Sequence, residues 1–116
     1  MKIISEIYQS GRYLDSAVFT EEELNFYEKK LGTLFPKDYR VLLLSVDPDI
    51  PDFFFTIPER HPSLKNYILI AKYKEYDIAF DRKHNMKVVY LLEDQKVEIY
   101  ENFLIWFEQF WEKAKK

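Results

Sequence analysis

The sequence predicts an α+β domain in which an antiparallel β meander lies between N-terminal helices and a C-terminal helix. Three observations support this fold class: capped helical periodicity over residues 20–46, short aromatic and β-branched runs over 53–100, and an apolar stripe after Asn102. A chain of 116 residues has room for one core, so we expect a single domain over residues 1–116. Its 21 aromatic residues (10 Phe, 9 Tyr and 2 Trp) allow that core to bury a large apolar area.

The pattern of residues in the first third of the chain predicts helices. Thr20 and Glu23 have the spacing of a capping box, and an i, i+3, i+7 apolar face follows at Leu24, Tyr27 and Leu31. Gly32 then suits a left-handed C-cap. Pro36 suits the first turn of a second helix running to about residue 46, which is apolar around most of its circumference and should be the central buried helix.

The segment before the capping box, residues 1–19, leaves two alternatives open. Ile3, Ile4, Ile7 and Tyr8 have helical spacing, so they suit a helix. The stretch Gly11-Arg12-Tyr13-Leu14 instead suits a turn or an added strand.

Two prolines, Pro48 and Pro51, must end the second helix, because each disfavours helix at the preceding residue. Five strands are then predicted, at residues 53–57, 67–71, 76–80, 87–92 and 96–100. Their polar connections are short, which favours an antiparallel meander. Asn102 caps a last helix, on which Ile105 points away from the apolar stripe formed by Phe103, Trp106, Phe107, Phe110 and Trp111.

Composition excludes several classes of site and partner. Two glycines cannot supply a P-loop or a dinucleotide-binding turn, and the lack of cysteine excludes disulfides, thiolate zinc sites and thiol nucleophiles. A net charge of −3 argues against direct nucleic-acid binding. The N-terminus does not have the pattern of a signal peptide, and the longest apolar run, residues 41–44, is far too short to span a membrane. We therefore expect a cytoplasmic protein without a membrane partner.

The order of motifs resembles a known family. The capped acidic helix and Gly32 are followed by Phe35-Pro36-Lys37-Asp38-Tyr39 and then by the apolar helix; later come Phe80-Asp81, Val88-Val89-Tyr90-Leu91 and Asn102-Phe103-Leu104-Ile105-Trp106-Phe107. Together these motifs resemble the SUKH superfamily, which includes SMI/KNR-like fungal cell-wall-assembly regulators and many bacterial immunity proteins. The likeness covers roughly residues 20–112. Members often carry a glycine after the second helix, where this chain has Asp47-Pro48.

The resemblance implies a SUKH-like fold and a function in binding. Its most direct implication is a non-catalytic immunity protein that binds and neutralises a cognate polymorphic toxin, and many such toxins are nucleases with basic channels. The alternative is a regulatory or scaffold module that binds another intracellular protein. Either function requires a protein partner and no cofactor.

The sequence gives little support for catalysis or metal binding. His61 and His84 are the only histidines, and their 23-residue separation has no metal-ligand pattern. Turn and cap chemistry explains most of the closely spaced carboxylates. The aromatic runs at Phe53-Phe54-Phe55 and Tyr73–Tyr76 could stack on bases, but the acidic balance favours core packing for both. We therefore expect no enzyme activity, no catalytic residue and no metal site.

The candidate binding site is the acidic segment, residues 47–62. It holds Asp47, Asp49, Asp52 and Glu59 against Arg60 alone, so its net charge of −3 equals that of the whole chain. The alternative is an ordinary solvated loop. For an interface with an apolar centre and a charged rim, the expected partner-binding residues are Asp49, Ile50, Asp52, Phe53 and Glu59.

Overall fold

The computed structural model describes residues 1–115 and confirms the α+β class. Within these residues there are four α-helices and a five-stranded sheet whose neighbouring strands are all antiparallel and follow chain order, so the predicted meander is confirmed. The chain forms two compact units, Met1–Ile50 with three helices and a second that begins at Pro51. The elements are α1 Lys2–Ser10, α2 Glu21–Leu31, α3 Lys37–Ser45, β1 Phe53–Arg60, β2 Tyr67–Tyr73, β3 Tyr76–Asp81, β4 Lys87–Leu92, β5 Gln95–Tyr100 and α4 Phe103–Ala114, with a 3₁₀ turn, Arg82–His84, between β3 and β4.

Helix α2 begins and ends as its sequence predicts. The Thr20 hydroxyl accepts from the Glu23 amide at 3.2 Å, and the Glu23 carboxylate accepts from the Thr20 amide at 2.9 Å. These two bonds satisfy backbone donors that have no partner inside the helix. Gly32 closes the helix at φ 63°, a left-handed conformation that costs glycine little.

Replacing the capping hydroxyl should destabilise the protein modestly. Thr20→Ala leaves a helix amide without its acceptor but opens no cavity, so we expect a loss of ~1 kcal/mol in the free energy of unfolding. Denaturant melts measure this loss. Glu22→Ala is the matched control, since Glu22 is exposed in the same turn and takes no part in the capping box. Neutral results for both Thr20→Ala and Glu23→Ala would contradict the capping box.

The structure corrects the start of α3 and resolves the N-terminal segment. Pro36 is the N-cap with ψ 142°, so it precedes the first turn of the helix, and its carbonyl accepts from the Arg40 amide at 3.2 Å. Both N-terminal alternatives occur, at different residues. Helix α1 buries Ile3 and Ile7, whereas Tyr13 forms an isolated antiparallel bridge with Pro48.

Strand β1 is longer than predicted and runs to Arg60 instead of residue 57. Its pairing with β2 shifts register between Phe55 and Glu59, and this irregular stretch contains Pro58. Because β1 lies at the edge of the sheet, the missing amide of a proline costs no pairing on its outer side. A proline inside the run therefore did not end the strand.

The apolar stripe of α4 packs on one face of the sheet. All five stripe residues are buried, and Ile105 points outward as predicted, with 38% of its surface exposed. Ring centroids are 4.8 Å apart for Phe53 and Phe110 and 6.0 Å apart for Phe55 and Phe107. The predicted burial of Trp106 and Phe107 against the sheet is thus confirmed.

The opposite face of the sheet has its own small core. Ala79, Val89 and Leu91 are buried there, and three partly buried side chains pack against them: Leu64, Tyr67 and Leu69. Both faces of the central strands β3 and β4 are therefore covered. This explains why their burial is nearly continuous and does not alternate.

Candidate functional site

The three acidic residues predicted to bind a partner are all exposed. The Asp49 amide donates to the Arg12 carbonyl at 2.9 Å, which fixes the backbone there. Asp52 has a left-handed backbone, φ 62°, and its carbonyl accepts from the Lys74 amide at 2.9 Å. Glu59 lies on β1 opposite Leu69. Each carboxylate is therefore carried on a backbone with defined hydrogen bonds and reaches solvent.

The two apolar residues predicted at the same interface are buried, so that part of the prediction is wrong. Only 5% of Ile50 and 7% of Phe53 are exposed. Phe53 is the first residue of β1 and faces α4, where its ring lies 5.0 Å from that of Phe55. Successive residues of a strand face opposite sides, so Phe54 points outward instead and is 56% exposed. Ile57, in the irregular stretch of β1, is 58% exposed.

Asp47 differs from the exposed acids because it is half-buried. Burial raises its pKa above the ordinary aspartate value, and the nearby charge of Asp49 raises it further. The Asp47 carbonyl also accepts from the Leu14 amide at 2.9 Å.

Both histidines have structural partners. His61 is buried, its Nδ1 accepts from the amides of Ser63 and Leu64 at 3.0 and 2.9 Å, and its Nε2 lies 2.9 Å from an Asp94 oxygen. Since Nδ1 accepts two amide hydrogens, the ring proton lies on Nε2 and is donated to Asp94. His84 Nδ1 lies 2.8 Å from Asp81. Among residues 1–115, no three His, Asp or Glu side chains are grouped so that they could hold a metal ion.

A second candidate site, the tyrosine cleft, lies between one end of the sheet and α4. It is a cavity of about 190 Å³ whose walls include Tyr73, Tyr76, Tyr90, Tyr100, Glu98 and Trp106. Strand register brings the sheet residues together, because Tyr73 is directly opposite Tyr76 and Tyr90 is directly opposite Glu98. Paired residues share a face, so their side chains line the cavity beside α4.

Hydrogen bonds orient the rings of the tyrosine cleft. The Trp106 indole donates to the Tyr90 hydroxyl at 2.8 Å, and the Tyr100 hydroxyl donates to Glu98 at 2.9 Å. Burial raises the pKa of Tyr90 well above the ordinary value. Burial, followed by the hydrogen bond to Glu98 and its charge, raises the pKa of Tyr100 to about 12. Both phenols are therefore neutral at physiological pH, and both rings line the cavity.

Sequence reasoning identified Tyr73 and Tyr76 as a possible stacking platform but favoured the core for both. In the structure they are half-buried, so they serve the core and a surface together. The sequence pattern did not indicate that Tyr90 and Tyr100 line the same cavity as Tyr73 and Tyr76. This placement depends on an irregular register between β4 and β5, which the sequence pattern does not reveal.

Comparisons with protein families, curated proteins and solved structures give no significant match for this chain. No helix within residues 1–115 is both long and apolar enough to cross a membrane.

Proposed function

We propose that this chain is a non-catalytic, cytoplasmic immunity protein that binds and neutralises a cognate polymorphic toxin. The observation that carries the proposal is the order of local motifs over residues 20–112. A capping box, a left-handed Gly32 cap and an apolar helix precede the meander and the closing aromatic helix. This is the order that the SUKH resemblance implies, and immunity proteins are a large part of that superfamily.

The exposed acids support a basic partner. Asp49, Asp52 and Glu59 are all solvent-exposed, in a segment whose net charge is −3. A surface of one sign speeds the association of an oppositely charged partner, most strongly at low salt. A nuclease toxin has a basic surface for its substrate, so an acidic inhibitor suits it.

Strand β1 supplies the apolar part of the proposed contact. Phe54 and Ile57 are exposed on it, and the acids Asp52 and Glu59 lie two residues away from them in the chain. Apolar side chains bordered by charges are the usual composition of a protein interface. We therefore propose Phe54 and Ile57 as the apolar residues of the contact, because Ile50 and Phe53 are buried.

Calorimetric titration of the purified protein with the toxin domain encoded beside its gene tests the proposal. We expect a saturable complex that Phe54→Ser weakens about tenfold or more, since tenfold corresponds to ~1.4 kcal/mol and truncating an anchor residue at the centre of an interface costs ~2 kcal/mol or more. Ile105→Ser is the matched control, because Ile105 is also an exposed apolar residue but lies on α4. Absence of a complex would contradict the immunity function, and wild-type affinity of the Phe54→Ser variant would remove β1 from the contact.

A further inference from the structure

We propose that the tyrosine cleft is a binding site for a small-molecule quaternary ammonium group such as the head of choline. The proposal goes beyond the toxin interface and does not depend on it, because the cleft shares no residue with the acids or with the exposed apolar residues of β1.

Four tyrosine rings line the cavity, those of Tyr73, Tyr76, Tyr90 and Tyr100. The centroid of Tyr90 lies 5.6 Å from that of Tyr76 and 5.6 Å from that of Tyr100, and their planes are tilted by 40° and 50°. Trp106 lies against Tyr90 at 6.5 Å. Faces of electron-rich rings attract a cation through their quadrupoles, and the attraction is greater where water is excluded. Several rings around one small cavity therefore favour a cationic, weakly hydrated guest.

The charges around the cleft act in both directions on a cationic guest. Glu98 provides a carboxylate in the cavity wall, and among the described residues its hydrogen-bond partner is the Tyr100 hydroxyl. One ring of the cleft already attracts a cation of the chain itself, since the Lys74 ammonium lies 5.2 Å from the centroid of Tyr73. Lys113 also lines the cavity, and its positive charge opposes a cationic guest. Glu98 and Lys113 should therefore have opposite effects on the affinity for a cation.

The size of the cavity restricts the guest. Pockets for drug-sized ligands usually measure ~300–1,000 Å³, whereas this one is about 190 Å³. A trimethylammonium head fits this volume and offers no hydrogen-bond donor of its own. Rings and one carboxylate are sufficient to recognise such a head, and the phenol hydroxyls keep their bonds to Trp106 and Glu98.

Choline itself is the test ligand, followed by NMR of the two tryptophan indole N–H signals. Trp106 lines the cleft and Trp111 does not, so we expect a saturable shift of the Trp106 signal while the Trp111 signal changes less. The control ligand is 3,3-dimethylbutan-1-ol, which has the shape of choline without its charge. Choline should bind about threefold to thirtyfold more tightly, the range of a cation–π contribution. Equal affinities for the two ligands, or no saturable shift, would overturn the proposal.

Matched variants assign the effect to the rings and the charges. Tyr73→Phe keeps the ring face and should bind choline as the wild type does, whereas Tyr73→Leu should weaken binding severalfold. Glu98→Gln should weaken binding and Lys113→Gln should strengthen it. Tyr73 is half-buried and the other two residues are exposed, so these variants should remain folded, which the dispersion of the NMR spectrum verifies. Equal binding by Tyr73→Leu and Tyr73→Phe would also overturn the proposal.

Discussion

Trp106→Ala should lower the free energy of unfolding by ~3–5 kcal/mol, the usual cost of truncating a buried aromatic side chain. Trp106 is completely buried. Its ring centroid lies 5.5 Å from that of Phe103 and 5.6 Å from those of Phe107 and Phe110. The cavity left by its removal would be lined by rigid rings that cannot collapse into it. Since domains of this kind have a total stability of roughly 5–15 kcal/mol, the variant should be near the threshold of folding.

Urea denaturation followed by circular dichroism measures this loss. Trp106→Phe is the control, because it keeps most of the apolar volume and removes the hydrogen bond to the Tyr90 hydroxyl. We expect Trp106→Phe to cost clearly less than the alanine variant, since a net hydrogen bond contributes ~0.5–1.5 kcal/mol. A cost below ~1 kcal/mol for Trp106→Ala would contradict the packing of α4 on the sheet.

Removing two of the exposed acids should slow association with the proposed toxin partner. We expect Asp49→Lys combined with Asp52→Asn to lower the association rate constant about tenfold at low salt and to flatten its salt dependence. Asparagine is chosen at position 52 because the backbone there is left-handed, a conformation that asparagine tolerates better than lysine. Stopped-flow association at several salt concentrations measures both effects, and the unfolding midpoint shows that the fold is retained.

The structure also selects the control for this charge experiment. Lys72 is paired with Asp77 at 3.3 Å, and Lys74 has a left-handed backbone and lies over Tyr73, so changing either would disturb other contacts. Lys83 is exposed, and within residues 1–115 its hydrogen bond is the one that its backbone amide donates to Asp81. Lys83→Gln should therefore leave association with a basic partner unchanged or slightly faster. Equal rates for the acid variant and the wild type at every salt concentration would remove these acids from the interface.

Local chemistry explains why much of the fold could be predicted from the sequence. The capping box at Thr20 depends on residues only three positions apart, and the stripe of α4 repeats with the helical period. Short polar connections restricted the five strands to an antiparallel meander. Strand β1 extends beyond the predicted residues 53–57, and its position at the sheet edge makes Pro58 tolerable within it.

The candidate sites were less predictable, because a site depends on which side of an element each residue faces. Charge could be read directly, and the three selected acids are exposed. The apolar partners were chosen by proximity in the chain, but the alternation along β1 buries Phe53 and exposes Phe54. The tyrosine cleft needed the register of four strands, including the irregular pairing of β4 with β5 that brings Glu98 opposite Tyr90. No local pattern contains that information.

Growth rescue on co-expression tests the central claim, neutralisation of a toxin by binding, most directly. The proposal expects a toxin domain to be encoded beside the gene for this protein. Cells would express that domain together with the wild-type protein, the Phe54→Ser variant or the Ile105→Ser variant. We predict that the wild type and Ile105→Ser restore growth and that Phe54→Ser, at equal soluble level, restores it less. Failure of the wild-type protein to restore growth, while the toxin alone is lethal, would contradict the account.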